Sequence, residues 1–167
     1  MADGSPRLDA LYTIGFAQKS LRQFIGLLRD AGVDGIVDVR RNNVSQLAGY
    51  AKRDDLAFIL DTFGIGYLEE KRLAPPKELL DRYHRDHDWA AYVPDFQRLV
   101  LDVQPLGEIL GEIEGRLARP CLLCAEPEPR QCHRRLVAEA FQRMRPGLHI
   151  QHIELAKRQT GAKGKDS

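Results

Sequence analysis

From Cys124 to Arg135 the chain reads CAEPEPRQCHRR, a stretch that holds two of its three cysteines together with Glu126, His133 and three arginines. A thiol and an imidazole where a helix should begin sit in the positive end of the macrodipole, and the adjoining guanidinium groups favour thiolate and attract anions. The turn between Cys124 and Cys132 has the length to bring Cys124, Glu126, Cys132 and His133 together. Three chemistries compete for that group. Cys132 or Cys124 is a nucleophile, with His133 or Glu126 moving protons. Alternatively, the two thiolates and His133 bind a zinc-like metal, with water or Asp38 completing the set. In the third reading the thiols are buried, His133 caps or packs, and Arg134 makes a salt bridge. Against the metal, Cys132 and His133 are neighbours, and side chains of neighbouring residues on a helix diverge by about 100°. The residues therefore assign no metal ligand, and no cofactor is named by them.

Cys121 and Cys124 form a CxxC, but in a strand they point to opposite faces. Cys121 is then expected in the core, since a free cysteine behaves as a small buried hydrophobe. A second constellation lies upstream. Asp38-Val39-Arg40-Arg41 ends a strand, and the polar stretch from Arg40 to Arg53, with Ser45 in it, has no apolar period of its own. Arg40 and Arg41 are candidates to clamp a phosphate or carboxylate while Asp38 orients a ligand hydroxyl or His133; the competing reading pairs Asp38 with Arg40 or Arg134. His84 and His87 read as a solvated helix face, His149 and His152 as surface residues flanking the last strand, and Trp89, Tyr92 and Phe96 as core.

The elements that must position these groups alternate. Leu11–Phe16, Gly35–Val39, Ile65–Leu68, Cys121–Ala125 and His149–Leu155 are strands. Between them lie a helix capped by Ser20, one capped by Asp54 or Asp55, a helical insertion within Glu69–Gln104, a helix around Leu106–Leu117, and one over Cys132–Met144. The expected fold class is α/β, a Rossmann-like mainly parallel sheet of about five strands with helices on both faces and strand order 3-2-1-4-5. Ligands of such sheets bind at the carboxyl ends of the strands, and Gly15, Asp38, Arg40 and the Cys124–Arg134 stretch all fall there. The domain is expected over 11–155, with a flexible N-terminus at 1–10 and a disordered basic tail at 156–167.

With 25 Lys+Arg against 24 Asp+Glu the formal charge is +1, so an anion site has to be local. An absent signal-peptide pattern and the odd, low cysteine count point to the cytoplasm, and nothing suggests a membrane. The expectation is an enzyme of unassigned reaction acting on an anionic small molecule or nucleotide through Cys124, Glu126, Cys132 and His133, with Gly15, Asp38, Arg40, Arg41, Ser45 and Arg134 binding substrate. The rival is a non-catalytic module that binds nucleic acid or a nucleotide through Arg40, Arg41, Arg134 and the 42–52 loop.

Thr13-Ile14-Gly15-Phe16, Asp38-Val39-Arg40, Ser45–Lys52, Gly64-Ile65 with Tyr67, and Leu123-Cys124-Ala125-Glu126 with Cys132-His133-Arg134 together resemble the domain of unknown function 488 family. The resemblance runs from about Leu11 to Leu155. It implies a small bacterial or archaeal α/β protein with its motif residues at one site, and says little about the reaction. The chain departs from the family pattern at Ala17, where a Thr or Ser is usual, and at Asn43 and Tyr50, where a Pro and a Phe are.

Overall fold

In the computed structural model, which describes residues 7–156, every residue of the strand Pro120–Cys124 is buried, and this run occupies the middle of the sheet. The described residues hold five parallel strands: β1 (Ala10–Gly15), β2 (Gly35–Asp38), β3 (Gly66–Glu69), β4 (Pro120–Cys124) and β5 (His149–Ile153). Their order is β3-β2-β4-β1-β5, not the expected 3-2-1-4-5. Burial explains the difference. A strand covered on both faces wants an unbroken apolar run, which PCLLC supplies, whereas β3 and β5 are partly exposed and take the edges. β4 therefore enters the slot that the β1-to-β2 crossover leaves open.

Among the described residues six α-helices cover the two faces: α1 (Leu21–Asp30), α2 (Arg53–Thr62), α3 (Lys77–Asp86), α4 (Trp89–Phe96, prolonged by a π-turn over Gln97–Leu101), α5 (Leu106–Glu114) and α6 (His133–Met144). Phe24, Ile25 and Leu28 of α1 and Leu56 and Leu60 of α2 pack on Tyr12, Ile14, Ile36, Cys121 and Leu123. On the opposite face Phe96, Ile109, Leu110, Val137 and Phe141 pack on Leu11, Val37, Val39 and Leu122. The helical insertion is α3 and α4.

Ser20 caps α1 in a capping box with Gln23. The N-cap of α2 falls ahead of the expected caps: it is Lys52, without a side-chain bond, and Asp54 and Asp55 stand in the first turn, where they complement the dipole. In the stretch expected to be irregular, Ser45 caps a 3₁₀ turn over Gln46–Ala51. Leu8, within the expected flexible segment, is buried and donates its N–H to Glu114. Residues 1–6 and 157–167, with nearly all of the expected basic tail, lie outside the described residues. No helix among the described residues is long and apolar enough to cross a membrane.

Candidate functional site

Cys124 ends β4 beside Gly15 of β1, and Leu123 pairs with Asp38 of β2, so the corrected strand order still delivers the three sequence motifs to one rim. Alternation along β4 turns Cys121 into the α1/α2 face, in the core as expected, and leaves Cys124 on the other face, toward the start of α6. Here the structure overturns the objection to Cys132 and His133 acting together. Cys132 lies outside the helix, as its N-cap, with extended φ −136° and ψ 138°, so the helical divergence of neighbours does not apply to it. A sulfur from Cys124, a sulfur from Cys132 and a ring nitrogen from His133 all lie within 4.8 Å of one another.

His133 is oriented from behind. Its Nε2 is 2.7 Å from the carbonyl oxygen of Val39. A carbonyl only accepts, so Nε2 carries a proton, and Nδ1 faces Cys124 Sγ at 3.6 Å. A hydrogen bond from Cys132, then the charge of buried Arg134 and the N–H groups of Ala125 and Glu126, outweigh burial and hold the Cys124 thiol below its ordinary pKa. Burial and the negative pole at Cys124 push Cys132 well above its own. Of the two adjacent thiols, Cys124 is therefore the readier to ionise. Burial alone raises Cys121.

Asp38 and Arg40 form the second half of the rim. Arg40 donates from Nε to Oδ1 of Asp38 at 2.9 Å and from Nη2 to Oδ2 at 2.8 Å, and both residues are buried. Asp38 also accepts from the Arg40 N–H, from Asn43 Nδ2 and from the Tyr67 hydroxyl. Burial opposes its charge, but the Arg40 hydrogen bonds and charge prevail and hold the carboxyl below its ordinary value. Tyr67, buried and already donating to Asp38, is pushed up. One group is left over: Nη1 of Arg40 is buried and finds no hydrogen-bond partner among the described residues.

Arg40, Cys124, Glu126, Cys132 and His133 line one cavity of about 190 Å³, open at one side, with Arg41 and His84 among its lining. Tyr83, Trp89 and Tyr92 form an aromatic wall. Trp89 stacks on Tyr92 with 5.0 Å between ring centroids and 13° between planes, Tyr92 on Phe96 at 5.8 Å, and Phe96 lies 5.7 Å from His133. Tyr92 and Phe96 are buried, as expected of core; Trp89 is half-buried and borders the opening.

Other candidates serve the scaffold. Arg134 is fully buried and donates to the Glu126 carbonyl at 2.5 Å, and to Thr13 Oγ1 at 3.3 Å, without lining the cavity. Gly15 stands where a Cβ would come within 1.6 Å of the Glu126 oxygen, so it permits the β4–α6 loop to close over β1. Ser45 is a turn cap away from the cavity. Asp38 positions Arg40 and does not reach His133, whose Nε2 is bonded to Val39. His152, expected at the surface, is half-buried and bonds to Thr13 Oγ1 at 2.6 Å. The family departures have partners: Tyr50 donates to the Phe16 and Lys19 carbonyls, and Asn43 bridges Asp38 and Glu69. Sequence reasoning missed Asn43 and Tyr67 as supports of Asp38, and Tyr83 and Trp89 as walls. Only the aromatic spacing of the insertion hinted at the walls.

Comparison with curated proteins and with solved structures finds no match to the chain. A family model does match, over residues 20–141, a span that includes Asp38, Arg40 and the whole thiol–imidazole group. With most of its length covered, the chain belongs to the family described as Domain of unknown function DUF488.

Proposed function

We propose that the chain is an enzyme that acts on a small anionic substrate in this cavity, with the Cys124 thiolate as attacking group and Arg40 as anion anchor. The observation that carries the reading is that Arg40, whose buried Nη1 finds no partner among the described residues, and the thiol–imidazole group line one cavity. An unsatisfied buried donor costs about 1–3 kcal/mol, and an oxyanion at that spot would remove the cost. His133 turns Nδ1 toward Cys124, where the ring is placed to take up or return the thiol proton. Tyr83, Trp89 and Tyr92 supply flat apolar surface, which favours an anion attached to a planar ring, as in a nucleotide. The rival nucleic-acid module gains less from this geometry: Arg134 is committed to backbone carbonyls inside the fold.

Alkylation tests the reading. Iodoacetate and iodoacetamide deliver the same kind of reacting carbon with and without a negative charge. Peptide mapping of the native protein should find Cys124 modified first and faster by iodoacetate than by iodoacetamide. If neither reagent modifies Cys124 until the protein is denatured, the thiol has no access to the cavity and the proposal fails.

A further inference from the structure

We propose that Cys124, Cys132 and His133 form a binding site for a divalent ion of the zinc class, with the ion's fourth position opening on the cavity. The inference rests on the reading above that this cavity is the working site, and it decides what Cys124 does there: with the ion bound, its sulfur is a ligand and no longer an attacking group.

Four observations support the site. The donor set is two sulfurs and one imidazole nitrogen, the soft and borderline donors that zinc and its neighbours prefer and that magnesium and calcium do not. One edge of the set matches a tetrahedron. Bonds of about 2.3 Å to sulfur and about 2.05 Å to nitrogen, at a tetrahedral angle, set a sulfur–nitrogen edge of about 3.6 Å. The Cys124 Sγ to His133 Nδ1 distance is 3.6 Å. Third, the imidazole is already oriented for a metal, because its outer nitrogen donates to the Val39 carbonyl at 2.7 Å, the second contact that metal-bound histidines use to fix their ring and their tautomer. Last, among the described residues no fourth Cys, His, Asp or Glu joins the group. Both Asp38 oxygens are occupied by Arg40, Asn43 and Tyr67, so Asp38 does not complete the set. The cavity, with Glu126 and Arg40 in its lining, leaves the fourth position open. Three protein ligands and one open position is the pattern of catalytic zinc, whereas purely structural sites are closed by four.

Proton and charge balance follow from the thiol pair. Cys124 and Cys132 both bind as thiolates, any thiol proton passing to solvent as the ion enters, so two negative sulfurs neutralise a doubly charged cation. An anion held by Arg40 would then meet the ion at its open position.

The test uses the full chain, purified without chelator and loaded with Zn²⁺ or Co²⁺. The expected result is one ion retained per chain after gel filtration, and for Co²⁺ a sulfur-to-metal charge-transfer band together with the intense visible bands of a four-coordinate ion. C124S and C132S should each lose the band, C121A should keep it, and Zn²⁺ should slow iodoacetate modification of Cys124 at least tenfold. The wild-type spectrum decides even if a variant fails to fold. No retained ion and no charge-transfer band, with iodoacetate still modifying Cys124, overturns the metal site and leaves the thiol enzyme standing. If the band is absent and Cys124 is also inert, both proposals fall.

Discussion

Asp38→Ala removes the acceptor around which the rim is organised, and its cost can be worked from the contacts. Asp38 accepts from Arg40 at three positions, from Asn43 and from Tyr67, and is fully buried. The substitution strands the Arg40 guanidinium, itself 3 % exposed, without a countercharge. Breaking a buried pair from one side costs about 3–5 kcal/mol, a large part of the roughly 5–15 kcal/mol that holds a domain together. At a urea slope of about 2 kcal/mol per molar, the unfolding midpoint should fall by roughly 1.5–2.5 M. The paired variant Asp38→Leu/Arg40→Met removes both charges and should recover most of that loss, since apolar groups of similar size can replace a buried pair at little cost. It should not recover the preference of Cys124 for iodoacetate. The pH dependence has a definite sign. Because the folded carboxyl titrates below its unfolded value of about 3.9, its stabilisation is fully present above that pH and is lost as pH falls through the lower folded value. Wild-type protein should thus lose stability on acidification below about pH 4 more steeply than the paired variant. If Asp38→Ala costs under about 1 kcal/mol, Arg40 does not depend on the pair and the account of the rim is wrong.

Three further outcomes follow. Gly15→Ala should displace the β4–α6 loop, because the new Cβ meets backbone at 1.6 Å; a drop in melting temperature together with altered Cys124 alkylation is expected, and an unchanged protein would mean the loop is not held there. Arg134→Ala should destabilise by about 1–3 kcal/mol for each carbonyl left without a partner, measured by urea unfolding; wild-type stability with lost ligand binding would return Arg134 to the substrate-binding set. Trp89 is the chain's only tryptophan and lines the cavity, so a nucleoside monophosphate should quench its fluorescence while inorganic phosphate, binding at Arg40 alone, should not. Equal quenching by both would remove the argument for a planar ring.

The sequence carried much of the architecture because period and burial agree locally. The α1 face, the Ser20 cap and the core placement of Cys121 all follow from spacing alone. Strand order did not, because a βαβαβ reading seats consecutive strands side by side. The clue lay in composition: PCLLC is apolar along its whole length, while the strand His149–Ile153 is interrupted by polar groups. At the site, residue types identified Cys124, Cys132, His133 and Arg40, which do share a cavity. What no spacing reveals is which donors are already occupied. The unpartnered Arg40 Nη1, the Val39 carbonyl behind His133 and the commitment of Arg134 to Glu126 all depend on contacts between elements distant in sequence.

Cys132 shows how a local cost marks a functional position. It is the N-cap of α6, with the extended backbone that Ser20 adopts as N-cap of α1, but its side chain makes no capping hydrogen bond. Serine, threonine, asparagine and aspartate are the residues that satisfy the first N–H groups of a helix, and a poor cap forgoes about 0.5–2 kcal/mol. A thiol at this position makes sense only through what it faces, which is the Cys124 sulfur and the His133 ring. Cys132→Ser should therefore leave stability unchanged or raise it by up to about 1 kcal/mol, as the hydroxyl gains the cap while entering a buried site. The same substitution should abolish the cobalt charge-transfer band. Chemical denaturation and the Co²⁺ spectrum, taken on one sample, separate the two effects. A loss of more than about 2 kcal/mol would mean that the sulfur is held for packing, as in a large-to-small core replacement, and the functional reading of Cys132 would fail.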